Sequence, residues 1–229
     1  LPHTPGACVS RSIAILVPAR DTVMTSFAYD MARAMSYHTA TTDDRVLLYT
    51  SHGTLIASQR MELARQALEE KADYLLWLDS DMRFPKETIG HLILRDKPIV
   101  AANYATRRMP VKPVAMMDAQ GKIDRVFTGP ESEGLQPVDY VGMGVMMVKR
   151  EVFEKLEAPW FAIPYSTIGN HYIGEDVFFC RKAREAGYEV LLDHDLSQHV
   201  KHIGTFEYSH EGAWAMKEEL DGPKFIQQS

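Results

Sequence analysis

Two cysteines in 229 residues, Cys8 near the start and Cys180 inside a run with helical character, are too few for a disulfide framework. That scarcity excludes the small disulfide-built secreted domains and makes a reducing, cytoplasmic compartment the expectation. Long apolar runs are missing as well. The longest near the N-terminus, "IAILVPA", is about a strand long, far short of the roughly 20 residues that cross a bilayer, so no stable membrane insertion is expected. The sequence opens at Leu1 rather than Met and says nothing about any segment before it. Positive charge is in deficit: 25 Lys and Arg stand against 31 Asp and Glu, a net charge of -6, so bulk electrostatics do not favour a polyanion or an anionic membrane. Arg107, Arg108 and Lys112 form a local basic patch, read as a solvated loop ahead of the alternative, contact with a phosphate chain. No G-x-G-x-x-G or other glycine-rich loop follows the first strand-like run, which argues against dinucleotide binding and nucleotidyl transfer. Repeats, low-complexity stretches and shifts in composition are absent too. A single domain over residues 1–229 is expected.

What is present is an alternation of two periodicities. Ile13 to Val17 is a short apolar run stopped by Pro18, read as a buried strand that ends in the loop "PARD". A helix follows over Thr25 to Ser36, then a strand over Arg45 to Tyr49, a long helix over Leu55 to Lys71, and a strand from Tyr74. A helix over Pro85 to Leu94 and a strand from Pro98 continue the pattern. Such alternation predicts an α/β layer structure whose sheet is mostly parallel and flanked by helices. Ligands of such sheets bind outside the carboxyl ends of the strands, where Arg20, Asp21, Ser51, Asp79 and Asp81 all fall.

Between Val111 and Val148 the segments become short and β-like, divided by "DAQGK" and "TGPESEGLQP", which predicts a small β-rich extension. Gly142 and Gly144 interrupt the strand-like run "YVGMGVMMV", marking a bulge or a close approach of the backbone to something else. The aromatic loop "PWFAIPYSTIGNHYIG" either offers a platform for an acceptor or covers the edge of the core with Trp160 and Phe161. "EDVFFCRKAREAG" is a helix with Glu175 and Asp176 in its first turn and Gly187 at its end. A polar stretch with several histidines precedes a last helical segment around Ala213 to Leu220.

The chemistry centres on "YLLWLDSDMRF". In extended backbone Asp79 and Asp81 project to one side and Ser80 to the other. Two carboxylates so placed stay in water, share a proton, or bind a cation. A hard divalent ion such as Mg2+ or Mn2+ prefers oxygen ligands, and an added imidazole suits Mn2+ somewhat better. His194, His199 and His210, with Asp193 and Asp195, leave a zinc cluster open as an alternative, although their spacing fits no standard zinc pattern.

The order of parts resembles the GT-A glycosyltransferases, specifically the small family 2 type. It runs through "ILVPARD", "IASQRMELARQAL", "YLLWLDSDM", "VGMGVMMVKREVF", "GEDVFFCRKAREAG" and "HIG", most of the chain. The resemblance implies a Rossmann-like, nucleotide-diphospho-sugar transferase fold. A nucleotide-binding half would span about residues 11–105, an acceptor and metal half about 106–210, and a C-terminal tail 211–229. It implies transfer of one sugar from a UDP- or GDP-sugar to an acceptor hydroxyl, with inversion. Asp81 would be the direct ligand of Mn2+ or Mg2+, Asp79 would contact ribose or the metal through water, and His202 would complete the coordination. Pro18, Arg20, Asp21, Arg60, Asp79, Ser80, Asp81 and Gly144 would line the donor, with Arg60 or Arg83 meeting phosphate oxygens. Asp176 would be the general base and Glu175 would orient the acceptor, whether glycan, lipid-linked sugar, protein or modified nucleic-acid base. The QxxRW pattern of processive synthases is absent, which argues against polymer synthesis.

A strand ending in Asp-x-Asp also resembles the nucleophile motif of haloacid-dehalogenase-type phosphatases. Against that stand Arg83 where such enzymes carry Thr or Val, two strands before the motif, and a "GED" that opens a helix. A nucleotide-sugar-binding module without catalysis is the other alternative.

Overall fold

The computed structural model describes residues 10–107, 110–119, 121–167 and 169–204. The expected helix around Ala213 to Leu220, His210 and Cys8 lie outside the described residues. The first half runs β1 (Ser12–Ala19), α1 (Thr25–Thr41), β2 (Arg45–His52), α2 (Ile56–Glu69), β3 (Tyr74–Leu78), β4 (Met82–Arg83), α3 (Thr88–Leu94) and β5 (Ile99–Ala102). Then come β6 (Met116–Ala119), β7 (Lys122–Arg125), β8 (Leu135–Val138), β9 (Val145–Lys149) and α4 (Arg150–Lys155). The last described elements are β10 (Tyr165–Ser166), β11 (His171–Tyr172), α5 (Glu175–Glu185), β12 (Val190–Asp193), α6 (His194–Ser197) and β13 (Lys201–His202).

Seven strands form the central sheet in the order β2-β1-β3-β9-β5-β12-β8. Five run in one direction, while β9 and β8 run against them, so the sheet is mixed and mostly parallel, as expected. β1 is buried over almost its full length because both of its faces are covered. Its side chains divide by the two-residue period. Ala14 and Leu16 join Leu63, Ala64 and Ala67 of α2 and Phe179 and Ala183 of α5, while Ile13, Ile15 and Val17 join Phe27 of α1 and Ile89 and Leu92 of α3. Two apolar layers therefore sandwich one sheet.

Several boundaries differ from the sequence reading. β1 continues through Pro18 to Ala19, paired with β2, because β3 stops pairing with it at Leu16 and no longer requires an amide hydrogen on that side. The strand within "YVGMGVMMV" starts only at Val145, and the two glycines form a crossing segment before it. The β-rich extension is the β6–β7 hairpin, turned at Gly121 with φ 89°.

The carboxyl ends of β1, β3, β5 and β12 share one rim of the sheet, and the antiparallel β9 starts there. That rim collects Asp79 after β3, residues 103–107 after β5, Gly144 before β9 and His202 after β12.

Candidate functional site

β3 ends at Leu78, and residues 79–82 form a turn closed by the Met82 N–H donating to the Asp79 carbonyl across 3.1 Å. This corrects the expectation of alternation: the two carboxylates are placed by a turn, not by strand pleating. Two further backbone bonds fix it, from the Asp79 N–H to the Gly144 carbonyl (3.0 Å) and from the Met24 N–H to the Ser80 carbonyl (3.1 Å). The carboxylates then go to different cations.

Asp79 meets Arg60. This α2 side chain is 2% exposed; its Nη2 donates to Asp79 Oδ1 at 2.8 Å and its Nε to Glu175 Oε1 at 3.1 Å. The guanidinium carbon lies 5.5 Å from the centre of the Trp77 ring, and Nη1 is buried with no hydrogen-bond partner among the described residues. Burial would lower the pKa of this arginine, but the carboxylates of Asp79 and Glu175 outweigh it and hold it above its ordinary value. Arg60, expected at phosphate oxygens, thus spends two of its nitrogens on acids.

Glu175 and Asp176 open α5, where the helix dipole favours acids. Asp176 Oδ1 accepts from the Val177 N–H at 2.7 Å. Burial, reinforced by the neighbouring Glu175 charge, pushes its carboxyl up to about 6. A carboxyl poised near neutrality beside a rim of polar groups has the property of a general base.

Asp81 meets His202 and Arg107. β13 pairs antiparallel with β4, setting His202 opposite Met82, and the Ile203 N–H donates to the Asp81 carbonyl at 2.8 Å. His202 Nδ1 lies 2.9 Å from the Ala105 carbonyl, which can only accept, so that nitrogen carries the proton. Nε2 then turns toward Asp81 Oδ1 across 3.4 Å. Arg107 Nη1 stands 2.6 Å from Asp81 Oδ2. Burial would raise the Asp81 carboxyl, but His202 and then Arg107 hold it below its ordinary range.

The segment after β5 was the main omission of the sequence reading. Tyr104 Oη accepts from the Gly144 N–H at 3.0 Å, its ring sits edge-on to His202, and Ala105 and Arg107 supply the contacts just described. The close approach marked by Gly142 and Gly144 is that of Tyr104: a Cβ on Gly144 would stand 2.7 Å from its Cζ. The available signal was a polar "NYATR" directly after a buried strand, at the carboxyl rim.

Other expected residues lie apart from this cluster. Arg20 and Asp21, 78% and 80% exposed, pair with each other at 3.4 Å at the end of β1. Pro18 is buried within β1, opposite Ser51. Arg83 faces Asp30 of α1. Asp193 is fully buried and held by His91 at 2.7 Å and by Arg95 at 2.8 and 3.0 Å, while His194 bonds Thr128 and Gln136. Of the residues of the zinc alternative, Asp193 and Asp195 thus share Arg95, while His194 belongs to another network. In the aromatic loop, Phe161 packs in the core against Trp77 and Phe179, whereas Tyr165 and Tyr172 pair across the β10–β11 hairpin and stay 50% and 69% exposed.

No protein-family profile matches the sequence, and no characterised protein matches it by sequence. Solved structures match by shape. A197 from STIV superposes with a TM-score of 0.54 at 16% identity, over 87% of this chain and 98% of that one. GalNAc-T7, a GT-A glycosyltransferase crystallised with UDP, GalNAc and Mn2+, superposes with a TM-score of 0.56 at 11% identity, over 87% of this chain and 45% of that one. The chain has a GT-A-like fold. At these identities the likeness is one of fold, and this chain spans less than half the length of GalNAc-T7. Among the described residues, no helix of this GT-A-like chain is long and apolar enough to cross a membrane.

Proposed function

We propose that the protein is a metal-dependent glycosyltransferase that moves one sugar from a UDP- or GDP-sugar to an acceptor hydroxyl, with inversion. The observation that carries this reading is the pairing at Asp81. The Nδ1–H of His202 is given to the Ala105 carbonyl, which makes Nε2 the ring nitrogen that faces Asp81 Oδ1, 3.4 Å away. A carboxylate with an imidazole nitrogen beside it fits Mn2+ or Mg2+, Mn2+ the better. Asp81 and His202 would hold it. Asp79, with Oδ1 committed to Arg60, has Oδ2 to offer the ribose or, through water, the cation. The cation, when bound, would stabilise the negative charge that develops on the leaving diphosphate.

The chain's own residues supply the rest. Asp176, its carboxyl raised to about 6, would take the proton of the acceptor hydroxyl, and Glu175, fixed by Arg60, would orient that acceptor. A base on one side of the sugar and a leaving diphosphate on the other is the arrangement of a single inverting displacement. The phosphatase alternative would need Asp79 as nucleophile, yet one of its oxygens is pinned by a buried guanidinium.

Calorimetric titration of UDP and GDP, with Mn2+ or with EDTA, tests the reading on the wild type and Asp81→Ala. Micromolar binding that needs both metal and Asp81 is expected. Absence of metal-dependent binding to either nucleotide would remove the reading and turn attention to phosphomonoesters.

A further inference from the structure

Three positive or protonatable groups stand next to the acidic turn, and two are locked. Arg60 is buried and held by two carboxylates, and His202 is fixed by the Ala105 carbonyl. Arg107 differs. Its side chain is 52% exposed, its acidic partner among the described residues is Asp81 alone, and its stem runs alongside Gly204, where even an added Cβ would stand at 3.5 Å. An ion pair at so open a guanidinium is weakly held. It nonetheless occupies the negative charge that the proposed cation requires.

We infer that Arg107 is a donor-phosphate ligand: its guanidinium, paired with Asp81 in this structure, would turn to the diphosphate when Asp81 holds a divalent cation. The inference rests on the donor-site reading above. Charge makes the exchange directional. A cation on Asp81 would both neutralise Arg107's partner and repel its guanidinium, and the negative groups of the donor are its phosphates. A planar guanidinium meets phosphate oxygens with two parallel N–H donors, geometry that an ammonium cannot reproduce. The segment carrying Arg107 also orients His202 through Ala105 and packs Tyr104 on Gly144, so its backbone is anchored two and three residues before the half-exposed side chain.

The test uses Arg107→Gln and Arg107→Lys in the whole protein, with thermal melts to confirm folding. Two probes are titrated by calorimetry: Mn2+ alone, and inorganic pyrophosphate at saturating Mn2+, which reports on the phosphates without regard to the base. Removing Arg107 is expected to leave Mn2+ affinity equal or stronger, since Asp81 loses a competitor, and to weaken pyrophosphate about tenfold. Lysine is expected to fall between. Loss of both affinities in step, or pyrophosphate binding unchanged, would overturn the exchange. A wild type that binds no Mn2+ would instead overturn the donor-site reading beneath it.

Discussion

Arg60 and Glu175, 115 residues apart in the sequence, are joined by a 3.1 Å hydrogen bond that ties the middle of α2 to the first turn of α5. Because the same guanidinium also holds Asp79, the acids of the proposed donor and acceptor sides are set on one buried cation. Its charge cannot be removed without stranding two carboxylates of low exposure.

Arg60→Met is therefore expected to cost about 3–5 kcal/mol of stability, the range for breaking a buried ion pair from one side. Arg60→Lys, which keeps the charge but loses the fork, is expected to cost less. Urea denaturation at neutral pH measures both. A loss below about 1 kcal/mol for the methionine variant would mean that the pair is worth no more than a surface one.

Gly144 and Tyr104 offer a second test. A Cβ at residue 144 would sit 2.7 Å from Tyr104 Cζ, so Gly144→Ala must displace the ring or the backbone. The expected cost is about 1–3 kcal/mol. The displaced ring is also expected to weaken binding of Mn2+ with UDP, because the residue after it orients His202. Tyr104→Leu in the alanine background should recover part of the stability and none of the binding. Strict additivity of the two substitutions in a double-mutant cycle would sink this account.

How far the sequence carried can be judged from particular residues. The order from β1 to β3 was legible because central strands buried on both faces read as unbroken apolar runs, and the intervening helices repeat near 3.6 residues. The insertion of β9 between β3 and β5 was not legible, since it depends on pairings between residues far apart in the sequence, such as Leu76 with Met147. Asp79, Asp81, Asp176 and His202 were named from their places in the chain order, and the structure puts Asp79 and Asp176 beside Arg60 and Asp81 against His202. Tyr104 escaped, and Arg107 was named only as part of a basic loop, because what each contacts, a glycine before β9 and an acid after β3, is fixed by sheet order alone. Arg60 was named as a phosphate contact, but its burial was not foreseen, because an arginine on the apolar side of a helix is explained only by the acids that meet it there.

Asp176 gives the most direct test of chemistry. Burial, with the charge of Glu175, lifts its carboxyl from an ordinary 3.8 to about 6. The folded protein thus holds this proton more tightly than the unfolded chain, so stability falls as pH rises through that window and the full penalty applies above it. Asp176→Asn removes the penalty. It is expected to be more stable than the wild type at pH 8, by an amount on the order of 1–3 kcal/mol, and indistinguishable from it near pH 4. If Asp176 is the base, wild-type kcat/KM should decline as pH drops through about 6, and the asparagine variant should lose roughly 10²–10⁴-fold in rate while binding Mn2+ and UDP as before. Urea unfolding at the two pH values and a pH–rate profile read these effects separately. An asparagine variant that is less stable at pH 8 and fully active would make Asp176 a helix-capping residue, its bond to the Val177 N–H being its whole role, and the base would then have to be sought at Glu175.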